Sequence, residues 1–201
     1  MGTAAVGLLE IEATAPMQRD LVIRAKTGDH EAFTALATGS IARLHRTARL
    51  IVRDDDLASD AVQDALVAAW LDIRAVRDPD LFDAWLHRLL VRSCYRAASS
   101  DRRRRAVEVR VQALDAPGDI GDGRDLTARD LVDRGFRRLT PELRAVLVVH
   151  HYLGLRDAEG AHVLGIPAGT FKSRLHRASG ALRAAIEADE RVPDRHSESI
   201  A

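Results

Sequence analysis

The chain has 201 residues, 46% of them hydrophobic, with 30 cationic and 30 anionic side chains. That length admits one or two domains and that composition suits a protein that buries a core. A net charge of zero gives no overall polycation, a single cysteine (Cys94) excludes an internal disulfide and a cysteine zinc cluster, and no apolar run reaches the length of a membrane span.

Charge is nevertheless segregated. Five aspartates (Asp54, Asp55, Asp56, Asp60 and Asp64) and one arginine fall between Arg53 and Asp64, whereas Ala168 to Arg183 holds three Arg and one Lys with no acid. Two partners are implied, one of them polyanionic. The lone thiol fits a reducing, cytoplasmic setting, and residues 1–16 lack the basic-then-apolar pattern of a signal peptide, reading instead as a flexible extension.

In chain order the periodicity is helical, with no strand-like alternation, so an all-α chain is expected. Gln18 to Lys26 reads as a helix stopping at Gly28. Asp29 caps the next, which carries Phe33, Leu36, Ile41, Leu44, Ala48 and Ile51 on one stripe, with Gly39-Ser40 a candidate interruption. A third helix starts at Asp54-Asp55-Asp56, repeats Leu57, Ala61, Ala65, Ala68 and Leu71, and ends before Asp78-Pro79. A fourth turns Leu81, Trp85, Leu89 and Val91 inward, places Cys94 in the core, and runs into Arg102–Arg105. The stretch from Ala116 to Gly123 is acidic and glycine-rich, which makes 106–126 a linker. Beyond it lie a helix from Thr127 to Leu139 and one from Pro141 to Leu153, begun by Thr140-Pro141. A short helix over Asp157 to Leu164 and a last one from Ala168 to about Glu187 complete the chain; 188–201 is a polar, disordered tail.

The last two helices carry the clearest chemistry. Gly165 permits a sharp corner, Ile166 plugs it, Pro167 sits where no helical amide is needed, and small Gly160 and Ala161 allow close approach. In the second helix Phe171, Leu175, Ala178 and Leu182 share the inward face. Thr170, Lys172, Ser173, Arg174, His176 and Arg177 are left outside, as hydroxyls and cations suited to phosphates and guanine edges. A helix-turn-helix presents the start of its second helix to the major groove. The competing reading is a basic surface helix joined by a glycine turn.

The stretch Leu164-Gly165-Ile166-Pro167-Ala168-Gly169-Thr170-Phe171-Lys172-Ser173-Arg174-Leu175-His176-Arg177-Ala178 resembles region four of the extracytoplasmic-function sigma factors, a compact branch of the bacterial sigma family. Gly160 departs from that family, where an apolar residue is common, and is expected to loosen the first helix. Gly28 to Leu36, Asp60 to Trp70, and Phe82 to Leu89 with the arginines that follow resemble the family's region two. The resemblance spans about 18–105 and 127–186, in family order.

The resemblance implies an initiation factor, not an enzyme, that works in the cytoplasm on core RNA polymerase and promoter DNA, with an anti-sigma factor as a further partner and no metal, cofactor, small-molecule substrate or membrane span. Asp60, Gln63, Asp64 and Val67 share one helical face and would dock on polymerase; the competing reading is that such acids favour a helix N-terminus. Arg88, Arg92 and Arg96 repeat every four residues as a ridge that can track phosphates near the start site (the −10 element), with salt-sensitive binding. Phe82 and Asp83, in the loop before it, would help receive an unpaired base; core packing is the alternative for Phe82 and the preferred reading for Trp85. Thr170, Lys172, Ser173, Arg174, His176 and Arg177 would read the upstream (−35) element. Asp115, Asp119, Asp122 and Asp125 of the linker would mimic RNA charge, unless the linker is a plain tether. The expected layout is 1–16 extension, 17–105 region two, 106–126 linker, 127–187 region four, and 188–201 tail: two small helical domains joined by a flexible linker. The alternative is a stand-alone helix-turn-helix regulator that binds operator DNA as a dimer.

Overall fold

The computed structural model describes residues 17–111 and 128–190. Among them every regular element is helical. The N-terminal region comprises α1 (17–26), α2 (His30–Val52), α3 (Asp55–Asp72) and α4 (Phe82–Val111), with short 3-10 turns at Ile73–Ala75 and Pro79–Leu81. The C-terminal region comprises α5 (Ala128–Arg138), α6 (Pro141–Leu147), α7 (Asp157–Leu164) and α8 (Ala168–Glu190).

The starts are set by short polar side chains. Asp29 accepts from the Ala32 amide at 3.0 Å, Asp54 from that of Leu57 at 2.9 Å, and Thr140 from that of Leu143 at 3.4 Å with Pro141 at the first helical position. Each satisfies a donor that the helix cannot. The expected break at Gly39-Ser40 does not occur: α2 is continuous and Ser40 is buried. One mid-helix glycine costs only about 1 kcal/mol, and the burial of Leu36 and Leu44 on either side outweighs it. The helix expected from Pro141 to Leu153 loosens after Leu147 into a π-helical turn, Val148–Tyr152.

α4 departs further from expectation. Its inward face is Phe82, Leu86, Leu90, Val91 and Cys94, while Leu81 is exposed and Trp85 and Leu89 are half-buried. α4 packs against α2 and α3 on one side and against α6 and α7 on the other. It also continues to Val111, into the segment expected as linker. Residues 112–126, with the four linker aspartates, lie outside the described residues, as do the expected extension 1–16 and the tail from 191; Ala188 to Glu190 still belong to α8.

The apolar core runs through both regions. Polar contacts close its edge: Arg53 pairs with Asp133, and Arg102 lies 3.8 Å from Glu142.

Candidate nucleic-acid and protein interfaces

The corner between α7 and α8 follows from three residues. Gly165 adopts φ +65° at the end of α7. Its amide donates to the His162 carbonyl at 3.1 Å, and the Ile166 amide donates to Ala161 at 3.0 Å. These two bonds satisfy the last carbonyls of α7, as a glycine-stopped helix requires. The Pro167 carbonyl then accepts from the Phe171 amide at 2.9 Å and starts α8.

Phe171 locks the two helices. It is fully buried, and its ring lies on Gly160: a Cβ at Gly160 would stand 2.5 Å from Cζ and 2.6 Å from Cε2 of the ring, and 3.1 Å from Val149 Cγ1. The expectation that Gly160 loosens the motif is therefore overturned. A larger residue there would collide with Phe171, and the missing side chain is what lets the ring sit against α7. His150 supports the same corner, with Nδ1 3.2 Å from the Leu155 carbonyl and its ring 6.4 Å from that of Phe171.

Opposite that lock, Lys172, Ser173, His176 and Arg177 are exposed, whereas Thr170 and Arg174 are half-buried. Lys172 Nζ is 3.5 Å from Asp157 on α7, and the Ser173 hydroxyl donates to the Thr170 carbonyl at 3.1 Å. Arg174 lies within electrostatic reach of Glu142 and of Tyr95 on α4. The six residues thus lie on one outward side of α8, with Arg174 at its inner edge.

On α4, Arg92 and Arg96 are exposed, and Arg102, Arg103 and Arg104 continue the exposed row. Arg88 is half-buried: its Nε has no hydrogen-bond partner, and it lies beneath Gly165 of the corner, about 4 Å from where a Cβ would be. Arg96 donates to the Ser93 hydroxyl at 3.0 Å and is 3.9 Å from Asp64. Phe82 is 1% exposed and packs 5.9 Å from the Trp85 ring, so it is a core residue and presents no face to a base. The assignment of Phe82 to the DNA surface is corrected on that ground. Asp83 is half-buried and held by Arg43 at 2.5 Å.

Tyr95 was not singled out from the sequence. Its hydroxyl is buried without a partner, and burial, with Glu142 nearby, pushes its pKa up to about 12. Burial likewise pushes the Cys94 thiol up to about 12, as befits a packed core thiol.

On α3, Asp60, Gln63, Asp64 and Val67 are all exposed on one side. Beside them runs an apolar groove of about 520 Å³ between α2 and α3, lined by Phe33, Ile41, Val62, Leu66, Val67 and Trp70 among others. Leu71 is 77% exposed at the next turn after Val67. Phe33 and Trp70 meet edge to face at 4.9 Å. Phe33 and Ile41, expected on the core stripe of α2, line this groove instead, and the exposed apolar residues Ile41, Val67 and Leu71 are its signal in the sequence. An apolar groove edged by carboxylates suits a protein partner with apolar knobs and cations.

Among the described residues no group of three His, Cys, Asp or Glu side chains is placed to hold a metal, and no helix is long and apolar enough to cross a membrane.

Residues 39–104 match the model of Sigma-70 region 2, and residues 129–182 that of Sigma-70, region 4. The chain is 36% identical over 159 residues to the ECF RNA polymerase sigma factor SigM of Mycobacterium tuberculosis, covering 77% of each chain. It is 33% identical over 141 residues to the RNA polymerase sigma-E factor of Streptomyces coelicolor, covering 70% of this chain and 77% of that one. Among solved structures, CnrH in complex with the cytosolic domain of CnrY matches 86% of this chain and 98% of its own, with a TM-score of 0.60 and 27% identity. RpoE of Bartonella quintana, in complex with the anti-sigma factor NepR, shares the fold over 78% of this chain and 98% of its own, with a TM-score of 0.58 and 23% identity.

Proposed function

Because this chain belongs to the extracytoplasmic-function (ECF) sigma factors of bacterial RNA polymerase, we propose that its two helical regions grip a promoter at two points while α3 holds the polymerase. As a sigma factor it binds core RNA polymerase and directs initiation at particular promoters.

The outward side of α8 reads the upstream element. Lys172, Ser173, His176 and Arg177 are exposed for it, and Thr170 and Arg174 border it. The observation that carries this reading is the Phe171–Gly160 lock, because a ring fixed on α7 sets which side of α8 can enter a groove. The ridge of Arg92 and Arg96, with Arg88 at its inner end, follows phosphates near the start site. Asp83 flanks it, tethered to Arg43. Asp60, Gln63, Asp64 and Val67, with the groove they edge, receive the polymerase. The polymerase- and start-site-binding domain covers 17–105 and the upstream-element domain 127–187, with α4 carrying the first region on to Val111.

Sigma factors are not enzymes, and the reading needs no catalytic residue or cofactor. The chain acts in the cytoplasm, where polymerase works. RpoE of Bartonella quintana, which shares this fold, is in complex with the anti-sigma factor NepR, which supports an anti-sigma partner for this chain too.

The test is run-off transcription and footprinting with core polymerase over a promoter library. Specific, strand-opening binding is expected only with polymerase present. Arg174→Ala should lower upstream-element recognition by about tenfold or more while leaving polymerase affinity unchanged. Tight binding to duplex operator alone, with no affinity for polymerase, would overturn the reading in favour of a stand-alone regulator.

A further inference from the structure

We propose that Arg144 and Arg53 form a binding site for a small phosphate-class oxyanion in the seam between α6 and the end of α2. Arg144 is only 7% exposed, and it sits in α6 among the buried Ala145, Val146 and Leu147. Its Nε donates to no group among the described residues. The charged groups that act on it are Arg53, of like sign, and Glu142. Glu142 is already drawn on by Arg102, 3.8 Å away, and by Thr140.

Arg53 supplies an independent sign. Among the described residues it is the one non-glycine with positive φ, at 65°. It closes α2 as a left-handed C-cap, its amide donating to the Arg49 carbonyl, and this fixes where its side chain leaves the helix. Its Nε is also buried without a partner. One terminal nitrogen meets Asp133, but that carboxylate is shared with Arg137. Two guanidiniums from different regions therefore lie within electrostatic reach of each other, and the two carboxylates beside them, Asp133 and Glu142, are each shared with another arginine.

A buried guanidinium nitrogen left without an acceptor is costly and uncommon in native proteins. Burial, and then Arg53, pull the Arg144 pKa down to about 10, which still leaves it charged at neutral pH. Guanidinium forks match the spacing of phosphate oxygens, and a hydrogen bond to an ion is among the stronger ones available. α2 and α6 pack against each other, so the seam excludes a duplex backbone. The bound ion would tie the N-terminal region to the C-terminal one.

The test is thermal unfolding of the full chain at constant ionic strength, with orthophosphate, pyrophosphate or ATP replacing chloride. Wild type should gain about 3–6 °C in Tm at ten times the dissociation constant. Arg144→Met should lose the phosphate-specific gain and, without ligand, unfold no lower than wild type; Arg144→Lys should keep part of it. Equal gains from orthophosphate and ATP would assign the site to a free ion, and tighter ATP binding to a nucleotide. Phosphate stabilises many proteins non-specifically, so an undiminished gain in Arg144→Met overturns the proposal. Should Arg144→Met not fold, the Nε–H resonances of Arg144 and Arg53 in the wild type decide: a saturable shift with orthophosphate supports the site, and unmoved resonances overturn it. Polymerase binding is measured separately and does not enter either outcome.

Discussion

α4 and α8 are both long basic helices, yet only α8 has an inward face that its own pattern reveals. Phe171, Leu175, Ala178 and Leu182 form a single stripe, and Phe171 and Ala178 are fully buried. α4 begins with apolar residues on several sides: Phe82, Trp85, Leu86, Leu89, Leu90 and Val91. It can afford them because it is covered on two sides, by α2 and α3 and by α6 and α7. A helix buried on one side announces its phase; one that joins two regions does not, because the second covering surface comes from distant sequence.

The comparison is broken most strongly at Phe171. Phe171→Ala should cost about 3–5 kcal/mol in urea unfolding of the C-terminal region and abolish upstream-element recognition, with polymerase binding retained. Gly160→Val should cost about 1–3 kcal/mol by overpacking. Combining Gly160→Ala with Phe171→Leu should cost less than the two single changes added, since the smaller side chain vacates the space the new Cβ needs. Strict additivity would mean that the ring does not rest on Gly160.

Much of this architecture was legible. Asp29, Asp54 and Thr140 act as the expected caps, and Gly165 makes the expected turn. Cys94 lies in the core. What escaped was tertiary. Nothing local says that Phe82 rather than Leu81 turns inward, because both are apolar and adjacent, and only the placement of α2 and α3 decides. Gly160 looked like a defect when judged against its own helix; the ring that needs the space comes from α8. The groove beside Val67 was hidden for the same reason, as its walls come from two helices.

A second test contrasts the α3 face with the α4 ridge. Val67→Glu, at a site 52% exposed, should leave stability within about 0.5 kcal/mol but weaken polymerase binding by about tenfold, roughly 1.4 kcal/mol. Arg92→Ala should leave polymerase binding intact and reduce the salt dependence of promoter binding by about one unit of slope. Were Val67→Glu to lower promoter affinity at saturating polymerase instead, the two faces would have to exchange roles.

The smallest effect lies where the end of α2 meets α5. Burial alone would raise the Asp133 pKa, but the hydrogen bond and charge of Arg53, with help from Arg137, outweigh it and hold the carboxyl below its ordinary value. A carboxylate with a lowered folded pKa contributes fully above its unfolded value, about 3.9, and loses that contribution as pH falls through the folded one. Because the Asp133 side chain is partly exposed, the contribution should stay under about 1 kcal/mol. The stability difference between wild type and Asp133→Asn should therefore be flat from neutral pH down to about pH 4 and close only below it. A difference that already shrinks near pH 6 would point to a histidine rather than to the Arg53–Asp133 pair, and the hold of α2 on α5 would have to be sought elsewhere.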